Sequence, residues 1–145
     1  MKLNPYLNFD GTCETAFNFY KKVFRTNFTE FGMMKYGDMP PQEGFTLPEE
    51  FKNRIMHVGL IIGEQNLMGS DIIPGMVPGN FKIGDNSYVS IHPDSREEAD
   101  RLFQELSEGG EIEMPMQDQF WGDYYGSFRD QFGTSWMINF NENFK

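Results

Sequence analysis

Along its 145 residues this chain spells one order of elements twice: a strand, a helix, then three strands. In the first round, Asn4 to Phe9 reads as a strand. A helix follows in which Thr12 is placed to cap and Cys13, Ala16, Phe17, Tyr20, Val23 and Phe24 recur at steps of three and four, which stacks them on one face. Strands are expected over Asn27 to Lys35, Arg54 to Ile62 and Asn66 to Ile72, the last two joined by the short connection Gly63-Glu64-Gln65. In the second round, Ser87 to His92 reads as a strand. Ser95-Arg96-Glu97-Glu98 opens a helix as a capping box, Ala99, Leu102, Phe103 and Leu106 form its apolar stripe, and Gly109-Gly110 ends it. Strands follow over Glu111 to Gln117, Tyr124 to Arg129 and Ser135 to Phe140, with Asp130 to Gly133 as the last turn. A repeat of roughly 60 to 70 residues is too long for a solenoid unit and suits half of a small α+β domain.

The first unit is placed at about residues 1–73, a linker at 74–82 and the second unit at 83–145. Ile73-Pro74-Gly75-Met76-Val77-Pro78-Gly79 has the Pro and Gly density of a linker, and Gly37 to Glu50, with Pro40, Pro41, Gly44 and Pro48, reads as a long mobile loop. With 15 Phe, 6 Tyr, 2 Trp and 10 Met the chain has ample material for a core. Its net charge of −10 disfavours nucleic acid and anionic membrane surfaces as partners. The single Cys13 forms no internal disulfide, no Cys/His cluster offers structural zinc, and no apolar run reaches the length of a membrane span. Without an apolar leader at the start, a cytoplasmic protein is expected.

The ordered set Tyr6-Leu7-Asn8-Phe9-Asp10-Gly11, Cys13-Glu14, Ala16-Phe17, Phe19-Tyr20, Ile55-Met56-His57, Leu67 to Asp71, Glu98-Ala99-Asp100, Trp121-Gly122 through Asp130, Phe132-Gly133 and Trp136 resembles the PhnB-like branch of the vicinal oxygen chelate superfamily. This group includes glyoxalase I, bleomycin resistance proteins and extradiol dioxygenases. The resemblance implies two βαβββ modules cupping a concave site as a pseudo-barrel, commonly in a homodimer. It also implies a divalent metal held by a His or Gln on the first strand of each unit and a Glu on the last. Registered on this chain, those positions fall near Pro5 to Leu7, at Leu67 and Met68, at Ser87 or Tyr88, and at about Met137, which are poor ligands for hard ions. The usual metal site is therefore expected to be absent, and no cofactor is expected. Some sequences of this type are labelled 3-demethylubiquinone-9 3-methyltransferase, but the glycine-rich strand-to-helix turn of a methyl donor site is missing.

His57 lies in an apolar strand and by alternation shares a face with Ile55 and Gly59. It either points into the concavity as an acid/base or is a satisfied core histidine. His92, beside Pro93 and Asp94, reads as a surface residue. Phe120, Trp121, Tyr124 and Tyr125 cluster in sequence as a pocket wall that suits aromatic or cationic ligands, or else as a core or dimer contact. Asp118 and Asp123 flank them as candidate orienting carboxylates, and Met68, Asn8 and Ser70 complete the candidate ligand set. Cys13 is either a thiol activated at a helix N-terminus or a buried small residue. Trp136 is expected in the core.

Two functions remain open. One is a binder of a small organic molecule without the usual metal. The other is an enzyme of lyase, isomerase or oxygenase type using His57, with or without a divalent ion held by His57, Asn8 and Asp71.

Overall fold

In a computed structural model, residues 1–76 and 78–143 are described; Val77, within the expected linker, lies outside the described residues. The chain divides into two compact units, Met1–Lys82 and Ile83–Lys145.

The first unit holds β1 (Tyr6–Phe9), α1 (Cys13–Phe24), β2 (Phe28–Lys35), β3 (Ile55–Ile62) and β4 (Gln65–Asp71). Its sheet has the order β1-β4-β3-β2, with β1 parallel to β4 and the other pairs antiparallel. The helical spacing read from sequence is the buried one: Cys13, Ala16, Phe17, Tyr20 and Val23 are inaccessible or nearly so. They pack with Phe9, Ile55, Val58, Leu60 and Leu67, and Phe17 meets Phe9 and Tyr20 edge-on. Helix α1 closes on Arg25 in the left-handed region, φ 52°, with Lys21 and Lys22 in its last turn, where cations offset the helix dipole.

The second unit holds β5 (Val89–Ile91), α2 (Arg96–Leu106), β6 (Glu111–Asp118), β7 (Tyr124–Arg129) and β8 (Ser135–Phe140), with sheet order β5-β8-β7-β6. Here too the first strand joins the last in parallel. Ala99, Leu102 and Leu106 bury the helix stripe, and Phe128, Trp136, Ile138 and Phe140 bury the sheet. Ser95 caps α2 by accepting a hydrogen bond from the Glu98 N–H at 3.1 Å. Two βαβββ modules, each a mixed four-stranded sheet carrying a helix, thus follow one another as the repeat predicts.

Several local expectations need correction. Thr12 makes no side-chain cap; the carboxylate of Asp71, at the far end of β4, accepts from the N–H groups of Gly11 (2.9 Å) and Cys13 (3.0 Å) instead. Strand β1 begins at Tyr6 rather than Asn4, because Pro5 has no N–H and Asn4 uses its side-chain oxygen to accept from Asn66 N–H. Strand β5 is shorter than Ser87 to His92. The segment Gly37 to Glu50 is not a bare loop. It carries a 3₁₀ turn at Tyr36–Asp38, a bridge between Gln42 and Phe45, and the start of a second 3₁₀ turn at Glu49–Phe51. Gly37 N–H donates to Lys52 O and Tyr36 Oη to Asp71 O, which ties its ends to the sheet.

Candidate functional site

The first sheet has one face under α1 and one face open. Opposed residues of a ladder share a face, so the pairs Leu7–Gly69–Val58 and Leu67–Leu60 lie toward the helix, and Asn8–Ser70 and Tyr6–Met68–Gly59 lie on the open side. Gly69 leaves room for Phe17: a Cβ there would sit 2.6 Å from its ring.

His57 lies on the open face with Gly59 by alternation, and a bulge beside it turns Ile55 to the other side. Met34 pairs with His57 and the next residue, Lys35, pairs with Ile55, so Met56 is an extra residue on β3. The bulge breaks the alternation that would put His57 and Ile55 on one side. Ile55 is fully buried and His57 is half-buried on the opposite face.

There the Tyr6 hydroxyl and His57 Nδ1 lie 3.2 Å apart, with ring centroids separated by 5.7 Å. The phenol of the edge strand β1 reaches over β4 to the imidazole on β3. Ser70 Oγ donates to Asn8 Oδ1 at 3.4 Å in the neighbouring row. Met68 and Met34 supply half-buried thioether surface, and Tyr6 is 45% exposed. The groups gathered here are neutral donors and acceptors on an apolar floor. His57 Nε2 has no partner among the described residues. Tyr6 is the member that sequence reasoning missed; its signal is the parallel β1–β4 pairing, which sets it beside Met68.

Asp71 does not belong to this face. It is 2% exposed, and besides the two N–H groups at the start of α1 its carboxylate accepts from Ile55 N–H at 2.8 Å. A metal site of His57, Asn8 and Asp71 is excluded by this placement. Cys13 is fully buried; burial first, then the Asp71 and Glu14 carboxylates, push its thiol well above the ordinary range, the opposite of activation.

The other candidates lie in the second unit. Asp118 pairs with Arg96 at 2.6 Å, which holds its carboxyl below the usual range. Arg96 also stacks 4.0 Å over the ring of Tyr124, whose hydroxyl donates to Asp100. Asp118 and Tyr124 thus fasten β6 and β7 to α2. Asp123 accepts from Asn141 Nδ2 (2.6 Å) and Trp121 Nε1 (2.8 Å). Phe120 and Trp121 are 97% and 53% exposed, so neither is a core residue of its unit. Trp136 is core, its indole N–H held by Asp130. His92 is exposed, with Nε2 3.1 Å from Ser90 Oγ.

In the second unit Ser90, rather than Ser87 or Tyr88, lies opposite Met137. The first-strand and last-strand positions that hold metal in the resembling superfamily therefore present Tyr6, Asn8, Met68, Ser70, Ser90 and Met137. Thioethers, hydroxyls and one amide do not fit a hard divalent ion. Among the described residues no group of three His, Cys, Asp or Glu side chains is placed to hold one.

Residues 1–139 match the family model described as 3-demethylubiquinone-9 3-methyltransferase. The chain belongs to this family. Its PhnB-like relatives include protein YjdN of Escherichia coli K12, 31% identical over 96% of this chain and 95% of YjdN. Protein PA1353 of Pseudomonas aeruginosa, a solved structure, is 35% identical with a TM-score of 0.84, over 97% of this chain and 98% of that one. A PhnB protein from Bacillus cereus, described as a putative 3-demethylubiquinone-9 3-methyltransferase, shares the fold at 23% identity and a TM-score of 0.74, over 97% and 99% of the two chains. The fold extends to the glyoxalase group: lactoylglutathione lyase from Agrobacterium tumefaciens superposes with a TM-score of 0.56 at 17% identity, over 99% and 96%. Among the described residues no helix is long and apolar enough to cross a membrane.

Proposed function

We propose that this PhnB-like protein binds a small organic molecule on the open face of its first sheet, and does so without a resident divalent metal. The observation that carries the reading is the Tyr6–His57 pair: an exposed phenol and a half-buried imidazole joined across a strand, with an unpaired imidazole nitrogen beside Asn8, Ser70, Met34 and Met68. A few fixed polar groups on an apolar floor give a ligand orientation as well as contact area. The absence of charged groups from this set favours an uncharged ligand with one hydrogen-bonding end.

A second reading has a specific observation in its favour. Because Nδ1 is engaged by the phenol, Tyr6 fixes the orientation of the ring and leaves Nε2 without a partner among the described residues, which suits an acid/base histidine. In that case Nε2 moves the proton. Asp118 and Asp123 are left out of it, since each is engaged within the second unit. Methyl transfer gains no support from the two strand-to-helix connections: Asp10-Gly11-Thr12 has a lone glycine and His92-Pro93-Asp94-Ser95 has none.

The test is thermal unfolding against a panel of small neutral aromatics and carbonyl compounds. A ligand at about a hundredfold its Kd stabilises by about 2.7 kcal/mol, or roughly 5 to 10 °C for a chain of this size. The shift should survive chelator and be lost in Tyr6→Phe and His57→Ala. A shift that chelator removes, or that both variants keep, defeats the proposal. Turnover of a bound compound that is lost in His57→Ala would establish the second reading.

A further inference from the structure

Strands β6 and β7 turn through Gln119-Phe120-Trp121-Gly122, and this tip presents its two largest side chains to solvent: Phe120 is 97% exposed and Trp121 53%. Large apolar residues at a hairpin tip ordinarily bury themselves or are replaced by polar ones. These are instead held outward. Gln119 N–H donates to Asp123 O at 2.7 Å and Gly122 N–H to Gln119 O at 3.0 Å, closing the turn, and Gly122 takes φ 103°, a conformation that other residues rarely adopt. The Asp123 carboxylate then fixes the indole by accepting from Trp121 Nε1 at 2.8 Å, while Asn141 Nδ2 holds the other oxygen at 2.6 Å. Phe120 stands edge-on to Trp121, centroids 5.0 Å apart and planes at 89°. The shelf is ordered before anything binds, so little ordering cost remains for a ligand.

The charge pattern selects the ligand. Asp118, five residues before Asp123, is neutralised by Arg96. Asp123 is contacted by neutral donors, the Trp121 indole and the side-chain amides of Asn141 and Asn139, and makes no ion pair among the described residues; His92 acts on it only through space. A full negative charge thus sits against the rim of an exposed indole, in a protein of net charge −10. The negative face of an aromatic ring and an uncompensated carboxylate both attract a weakly hydrated cation.

We infer that the β6–β7 tip is a second binding site, taking an organic cation of the quaternary ammonium type against the Trp121 indole beside Asp123. It uses no residue of the first sheet and stands or falls separately from the function proposed above.

The experiment uses the full chain and intrinsic tryptophan fluorescence. The protein has two tryptophans; Trp136 is 1% exposed and tied to Asp130, so a ligand-dependent change reports on Trp121. The probes are choline and its uncharged isostere 3,3-dimethylbutan-1-ol. Choline should give a saturable change and bind about two- to fivefold more tightly than the alcohol. Trp121→Ala should abolish the change while the Trp136 emission reports an intact fold, and Asp123→Asn should weaken choline binding but not that of the alcohol. Equal affinities for the two probes, or a choline response that survives Trp121→Ala, would overturn the inference. So would a Trp121 emission that follows protein concentration and ignores choline, since a second copy would then cover the tip.

Discussion

The Asp71 carboxylate accepts from three backbone N–H groups: Gly11 before α1, Cys13 at its first position, and Ile55 at the start of β3. Replacing it with alanine orphans three donors in a buried place, at a cost on the order of 3 kcal/mol or more; urea unfolding of Asp71→Ala should show that loss with an unchanged fold in the surviving native fraction. Cys13 makes a separate prediction. Its folded pKa is raised above the ordinary 9.0, so the stability it contributes is complete below that value and is lost as pH climbs past it, when the unfolded thiol ionises and the folded one does not. Unfolding free energy should therefore fall above pH 9 by up to about 1.4 kcal/mol per pH unit for this one proton, and Cys13→Ala should remove that share. Tyr36, raised chiefly by burial, leaves an alkaline slope behind. Alkylation of native protein at pH 8 should likewise be slow, becoming fast in denaturant. At this scale the sequence was partly legible. His57, Asn8, Ser70 and Met68 meet on one face, whereas Asp71 takes the capping role that local reading assigns to Thr12, because the cap of α1 comes from a residue about sixty positions away and no local pattern encodes that.

At the level of elements, helix against strand is set by close approach. Gly69 lies under Phe17 in the first unit and Gly126 under Phe103 in the second, where a Cβ would come within 2.6 Å and 2.9 Å of the respective rings. Gly69→Ala also meets the Leu7 carbonyl oxygen at 2.9 Å, a backbone atom that cannot swing aside. It should cost about 1 to 3 kcal/mol, measured by denaturant unfolding. Gly59→Ala meets only the movable Thr29 side chain and should cost less. The helices were legible because their burial repeats at 3.6 residues, and the strands because each is short and bounded by turn residues. The bulge at Met56 was not, since it depends on how Met34 and Lys35 register against β3. That single inserted residue turns Ile55 toward the helix, while His57 keeps the face of Gly59.

For the molecule as a whole, the repeat predicted the order of elements in both units, and the resemblance placed the chain in its family. The candidate ligand set divides between the units, since Phe120, Trp121, Tyr124, Asp118 and Asp123 share no unit with His57. Sequence proximity groups residues along the chain, and only tertiary pairing groups them by face. The expected homodimer is checked by light scattering, where twice the chain mass is the outcome anticipated. Thermal unfolding should be unmoved by chelator, given the donor set presented by the two sheets. One topological fact bears on how such a chain comes into being: β1 pairs with β4 alone, and β5 with β8 alone. The segment that leaves the ribosome first in each module is the last to find its neighbour, waiting until some sixty residues, or in the second module about fifty, have emerged behind it. Until then its hydrogen-bonding edge is bare, and the nascent module is exposed to mispairing for most of its synthesis.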